Sequence, residues 1–193
     1  MIKTLYPVFQ HWSDGGAVWF ISDTHFDDAD CRLMDPGWLT PKEHLKRINH
    51  LVKKNDTVVH LGDVGNPKYI HWMDGKRKIL ILGNHDSGAS KYEDYFDEIY
   101  SGPLIISEKI ILSHEPVEVP WALNIHGHDH GNSAQDAWHL NCAANVAGYL
   151  PVNLKDIIMS GALKRIDSIH RLAINDAKEH PLHEHQPVKT NYV

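Results

Sequence analysis

Residues 17–25 read AVWFISDTH, an apolar run that stops on an aspartate and a histidine. Ala17 to Ser22 is rich in β-forming residues, follows the turn signal Asp14-Gly15-Gly16, and has the length of a buried strand. Asp23 and His25 stand two residues apart, and at an extended strand end such residues point to the same side. The segment therefore delivers a carboxylate and an imidazole together at the carboxyl end of a buried strand.

Outward from this stretch the pattern recurs. Thr57 to Leu61 (TVVHL) is a second short apolar run and leads into Gly62-Asp63; Lys78 to Leu82 (KILIL) is a third and leads into Gly83-Asn84-His85-Asp86. Leu104–Ser107 and Lys109–Leu112 flank Glu108 as a hairpin or two adjacent strands that end at Ser113-His114. Ala122 to Ile125 runs into His126-Gly127-His128-Asp129-His130, and Trp138 to Cys142 reads as a last strand. In layered α/β folds ligands bind beyond the carboxyl ends of strands, so five segments distant in sequence are expected to converge on one edge.

Helical signals lie between these runs. Pro41 to Lys54 places Leu45, Ile48 and Leu51/Val52 at helical spacing, with Thr40 as N-cap, Pro41 in the first turn and Glu43 completing a capping box. Tyr92, Tyr95, Phe96 and Ile99 recur at helical intervals behind Ser90 and predict a short helix stopped by Pro103. From Pro151 or Asn153 the sequence predicts helix to about Lys178, broken near Ser160-Gly161. The fold class expected is α/β, layered.

At 193 residues and 22.0 kDa the chain is read as one domain over 1–179, with an extended tail from 180 to 193. A hydrophobic content of 42% and a charged content of 23% exclude a disordered chain. The formal net charge of −6 argues against a long nucleic-acid partner, though not against a nucleotide. Cys31 and Cys142 have neither CxxC spacing nor a disulfide framework around them, and no run of 18 apolar residues suggests a membrane span. These features, with no secretory leader in the first residues, predict a cytoplasmic protein.

The sixteen histidines need spacing to give them meaning. Asp23 with His25 forms a bidentate corner; Asp63 follows a glycine that lets backbone approach closely and is a carboxylate able to bridge cations; Asn84 offers an amide oxygen; His85 has a protonatable ring with Asp86 beside it. Imidazole and oxygen donors without thiolate suit manganese, iron, zinc, nickel or cobalt at a reactive site rather than a structural zinc. Singly, an Asp-x-His or a Gly-Asp is more often incidental. Joint occurrence, each after a strand, favours one metal site. His11, His44, His50, His60, His71, His139 and His170 lack that context and read as surface or satisfied core groups; His180, His183 and His185 read as a solvated tail.

In this order the motifs DTH at 23–25, GD at 62–63, GNHD at 83–86, His114 and GHDH at 127–130 resemble those of the calcineurin-like metallophosphoesterases, over roughly residues 18 to 131. DTHF, LGNHD and HGHDHG are similar to the small bacterial and phage members. The resemblance implies a two-sheet β-sandwich flanked by helices. It implies two divalent metal ions, manganese foremost: Asp23, His25 and His130 on the first, Asn84, His114 and His128 on the second, Asp63 bridging. It further implies a metal-bridging hydroxide as nucleophile, His85 as general acid and Asp86 as the partner that orients it. The glycine before the first ligand favours His128 and His130 over His126, which is left as a supporting residue. Asp27 and Asp28 stand where relatives often carry Gly-His, which weakens any substrate carried over by likeness.

The expected function is hydrolysis of a phosphomonoester or phosphodiester in a small substrate, with a nucleotide among the candidates. Two alternatives compete. One is a metal-dependent binding module without catalysis, against which an intact His85 counts. The other is a nuclease on short single strands, against which the acidic balance and Asp27/Asp28 count.

Overall fold

The computed structural model describes residues 2–131 and 136–180. Among these residues nine strands form two sheets: β1 (Val18–Ile21), β2 (Thr57–His60), β3 (Arg77–Ile81), β4 (Glu98–Tyr100), β5 (Leu104–Ser107), β6 (Ile110–Leu112), β7 (Leu123–His126), β8 (His139–Asn141) and β9 (Val152–Asn153). The first sheet has the order β4-β3-β2-β1-β9, parallel except for β9; the second has the order β5-β6-β7-β8, parallel except for the β5–β6 pair. Helices α1 (Cys31–Met34), α2 (Pro41–Leu51), α3 (Leu154–Met159) and α4 (Ile169–Glu179) accompany them. The layered α/β class and the two-sheet sandwich with flanking helices are both present.

Alternation along the strands explains the layers. On β1, Val18 and Phe20 enter a core with Val59, Leu61, Ile79 and Ile81 of the first sheet and Ile106, Ile110, Leu112, Leu123 and Ile125 of the second. Trp19 and Ile21 face the other way, with Val58 and Leu80, onto Leu45, Ile48 and Val52 at the apolar stripe of α2. The capping box holds the start of that helix: Thr40 Oγ1 accepts from Glu43 N at 3.3 Å and Glu43 Oε2 accepts from Thr40 N at 3.1 Å.

Two expectations change. Residues 90–100 are not a helix: a 3-10 turn at Ala89–Lys91 and further turns at Tyr92–Phe96 give way to β4, where Ile99 pairs with Leu80. Successive turns bury Tyr92 and Phe96 on one side as a helix would, so their spacing alone cannot separate the two. The helical stretch to about Lys178 breaks near Ser160-Gly161 as read from the sequence: it ends at Met159, Gly161 has φ 80, and helix restarts at Ile169 behind Ser168, whose side chain accepts from Arg171 N. Val152–Asn153 pairs antiparallel with β1 before the helix begins. The tail beyond 180, with His183 and His185, lies outside the described residues.

A 3-10 helix at Pro7–Ser13, absent from the sequence reading, is tied to β4 through Glu98. That carboxylate accepts from Trp12 Nε1 at 3.2 Å and Tyr100 OH at 2.8 Å, and lies 2.8 Å from His11 Nε2. Burial pushes its pKa up, but these donors outweigh burial and hold it below the usual glutamate range. A depressed carboxylate stabilises the fold above its unfolded value and ceases to as pH falls through its folded one. Glu98→Gln is thus expected to cost about 1–2 kcal/mol at neutral pH. The deficit should shrink as urea melts are taken below the ordinary glutamate range; one unchanged down to acid pH would refute the assignment.

Candidate metal centre

All five strand ends point to one edge. Asp23 follows β1, Asp63 follows β2, Asn84 and His85 follow β3, His114 follows β6, and His128 and His130 follow β7. The parallel arrangement of β1, β2 and β3, and of β6 and β7, puts those ends on the same side of each sheet. A seam then joins the two sheets there: Ser22 N donates to Cys142 O at 3.0 Å, and Ser22 bridges Ala143. Asp23 N meanwhile donates to Gly62 O at 2.9 Å, so the turn after β1 lies between the other contributors.

The second sheet holds its loops with a polar row. Asn124 donates to Ser113 Oγ at 2.8 Å and accepts from Val117 N at 2.8 Å, which pins the segment after His114. Asn141 donates to Asp129 O at 2.7 Å, which pins the segment between His128 and His130. Glycines allow the remaining approach: a Cβ on Gly127 would overlap Ser22 Oγ and Asp23 Oδ2, and one on Gly62, at φ 103, would stand 2.6 Å from His114 Nδ1. Asp23, His25, Asp63 and His128 have φ values of 55, 39, 58 and 66, a left-handed conformation that costs of order 1–3 kcal/mol for each residue without a glycine's freedom. Strain gathered at these positions is what a functional site would hold.

The side chains fall into two adjoining groups. In the first, His130 Nε2 lies 3.4 Å and His25 Nε2 4.0 Å from Asp23 Oδ1. In the second, His114 Nε2 lies 2.8 Å from Asn84 Oδ1, and His128 Nδ1 lies 3.1 Å from the same oxygen and 3.3 Å from His114 Nε2. Asp63 stands between them, its Oδ2 being 3.6 Å from His25 Nε2 and 3.4 Å from His114 Nε2. Asp23, His25 and His130, and likewise Asp23, Asp63 and His114, bring one ligand atom each within 4.8 Å of one another.

Ring orientations are set by the opposite nitrogens. His114 Nδ1 donates to Leu61 O at 2.9 Å, leaving Nε2 as the free lone pair, and His130 Nδ1 is 3.0 Å from Asn145 Oδ1, whose amide in turn donates to His130 O at 2.8 Å. Burial pushes Asp63 up, but His114, the His85 N–H and His25 hold it down to about 2. Burial pushes His114 down, but Asp63 and Asp23 raise it above the usual histidine range. For His25 burial prevails over Asp63 and Asp23 and lowers it.

Fit to a cation can be judged from Asp23. Its Oδ1 is buried and has no hydrogen-bond partner, while Oδ2 accepts from His128 N at 2.9 Å. A buried anionic oxygen without a donor is costly, and a cation among surrounding imidazoles removes the cost. The residues present fit a metal.

His85 stands exposed at the rim, its N–H donating to Asp63 Oδ1 at 2.9 Å and its ring 5.4 Å from that of His25. Asp86 departs from its expected role. Its Oδ2 accepts from Asp63 N at 2.9 Å and Gly83 N at 2.8 Å, and its Oδ1 from Val64 N at 3.1 Å and Tyr92 OH at 2.7 Å. The carboxylate turns inward to knit the loops after β2 and β3 and makes no hydrogen bond to the His85 ring. His126 is buried below the loop, its Nδ1 2.8 Å from Gly127 O, and is in neither group.

Sequence reasoning missed Asn145, whose only signal was a position just after β8; Trp38, a candidate pocket wall from its place near the motifs, lies 6.1 Å from the His25 ring and 5.6 Å from the His130 ring. A cleft of about 290 Å³, lined by Asp28, Arg32 and Trp38 among others, opens beside His25, and another of about 290 Å³ opens beside His114 and Asn84. A larger hollow of about 740 Å³ between β8 and α3 contains none of the metal-site side chains.

Among solved structures, the chain is similar to a protein of unknown function, AQ665, from Aquifex aeolicus, with 29% identity and a TM-score of 0.62 over 74% of this chain and 98% of that one. It is also similar, more distantly, to the Pseudomonas putida nuclease MPE, with 22% identity and a TM-score of 0.43 over 58% and 61% of the two chains. No curated protein matches. The sequence profile of the calcineurin-like phosphoesterases matches residues 16–189, and the chain, a metal-dependent phosphoesterase by that match and by its clustered aspartates and histidines, belongs to this family.

Proposed function

We propose that the protein hydrolyses phosphomonoester or phosphodiester bonds of small substrates at a dinuclear centre. The observation that carries this is the unpartnered, buried Oδ1 of Asp23 among His25 and His130, with Asp63 shared toward a second histidine group. Asp23, His25 and His130 would hold one cation and Asn84, His114 and His128 the other, with Asp63 placed to serve both. Manganese is the foremost candidate, and the same donors admit iron, zinc, nickel or cobalt. The Cys31 thiol near His25 is pushed up to about 12 by burial and by Asp28. When bound, two such cations supply Lewis acidity and lower the pKa of water.

The chain's own residues do the rest. His85, anchored through its N–H on Asp63, gives its ring proton to the departing oxygen. Trp38 closes one side of the site against bulk water, and the clefts beside His25 and His114 receive the groups on either side of phosphorus. Clefts of this size suit a small ester or a nucleotide, and a net charge of −6 disfavours a long polyanion. No helix among the described residues is long and apolar enough to cross a membrane, and buried free Cys31 and Cys142 suit a reducing compartment, so we place the activity in the cytoplasm.

Metal analysis of the purified protein, with Mn²⁺-supplemented turnover of p-nitrophenyl phosphate, its bis ester and the phenylphosphonate, tests this reading. About two ions per chain with turnover of one ester class is the expected result. A protein with no bound metal and no turnover across all five candidate metals would leave a binding module as the better account.

A further inference from the structure

Asp27 and Asp28 follow the Asp-x-His corner directly, and neither carboxylate stands free in the cleft. The Asp27 oxygens accept from Asn66 Nδ2 at 2.8 Å and Tyr69 OH at 3.0 Å, groups on the segment that follows Asp63. Asp27 itself adopts φ 64, and its fixed side chain holds the chain in a tight turn closed by Asp28 N donating to His25 O at 3.0 Å. That turn folds Asp28 back over the imidazole, with its Oδ2 3.2 Å from His25 Nδ1. The second oxygen, Oδ1, accepts from Asp30 N at 3.0 Å, so the carboxylate is itself held in place.

We propose that Asp28 is the positioning residue for His25: it accepts the Nδ1 proton, fixes the ring in the tautomer with a lone pair on Nε2, and aims that nitrogen between Asp23 and Asp63. The proposal rests on the reading of this site as metal-binding. Its physical content is general: a histidine ligand is oriented by the acceptor on its other nitrogen, and the carboxylate acceptor also raises the basicity of the coordinating one. Leu61 O does this for His114 and Asn145 for His130, both through neutral oxygens; His25 alone of these three has a carboxylate. His25 Nε2 faces two anionic oxygens, Asp63 Oδ2 at 3.6 Å and Asp23 Oδ1 at 4.0 Å, which would otherwise draw the ring proton to that nitrogen. Asp28 offers the competing site.

The test combines two readouts. Long-range ¹H–¹⁵N spectra of the metal-free protein report the His25 tautomer, and calorimetric titration with Mn²⁺ reports affinity. The expected result is a wild-type ring protonated on Nδ1, a mixed or inverted tautomer in Asp28→Ala, a smaller change in Asp28→Asn, which keeps an acceptor oxygen, and a loss of about 10–100-fold in Mn²⁺ affinity in Asp28→Ala. Asp28 has a partly exposed side chain, so these variants are expected to fold, which a thermal melt checks directly. An unchanged tautomer and an affinity within about twofold of wild type in Asp28→Ala would overturn the role of Asp28 and leave the metal site standing. Failure of the wild-type protein to bind Mn²⁺ at all would overturn both together. Cys31→Ser supplies the last arm, since His25, Asp28 and Cys31 also bring ligand atoms within 4.8 Å of one another. It is expected to leave affinity and tautomer unchanged; a loss as large as that of Asp28→Ala would mean that the three side chains coordinate together, against the positioning role.

Discussion

Asp63→Asn is expected to lower kcat/KM by at least about 10³-fold, with the metal content falling toward one ion per chain. The reason is the place of this single carboxylate: Oδ2 is 3.6 Å from His25 Nε2 and 3.4 Å from His114 Nε2, and Oδ1 carries the His85 N–H. The amide keeps the size but loses the negative charge, and its NH₂ face turns a donor toward whatever the anion had held. Stability should respond differently, because Asp63 N is bonded to Asp86 through backbone and that bond survives the substitution. Metal analysis and turnover on one preparation check the prediction. Full activity with two ions bound would remove Asp63 from the position proposed for it.

His85→Ala should separate protonation from binding. General acid catalysis contributes typically 10²–10⁴-fold, so kcat toward an ester with a basic alkoxide leaving group is expected to fall by about that factor. Toward p-nitrophenyl esters the loss should be much smaller, since that oxygen leaves without a proton. Metal content should not change, because His85 is exposed at the rim and its contact with Asp63 is through the backbone. The check is the slope of log kcat against leaving-group pKa in wild type and variant. Parallel lines would mean that His85 does something other than donate a proton.

The site was more legible than the fold around it. Buried strands are short and apolar, and a polar cluster on the end of each is a signal that survives without knowing how the strands are ordered: Asp23, Asp63, Asn84, His114 and His128 were singled out in this way, and the structure brings them together. What failed depended on direction. Asp86 is adjacent to His85 in sequence, yet its side chain turns to four donors on the opposite side, and adjacency carries no information on that. β4 and β9 are three and two residues long, too short for a period of two to show, so Ile99 was absorbed into a helical spacing and Val152 into the helix that follows. Asp28 is close to His25 in sequence, but only the turn at Asp27 makes it a partner.

The seam at Ser22 has a consequence for how the molecule comes apart. Asp23, Asp63 and Asn84 extend from one sheet, and His114, His128 and His130 from the other, so cations held by both sets as proposed would act as rivets through two plates. Ligand free energy is then spent on keeping the plates together, and at a free metal concentration 100 times Kd it adds about 2.7 kcal/mol to global stability. Chelation should therefore lower the unfolding temperature and bring the amide of Ser22, whose N–H spans the joint to Cys142 O, into faster hydrogen exchange than those of Val58 and Val59 in the centre of the first sheet. An enzyme so fastened would take its metal supply as a measure of whether to stay folded, and starvation for the ion would deliver it to proteases as well as silence it.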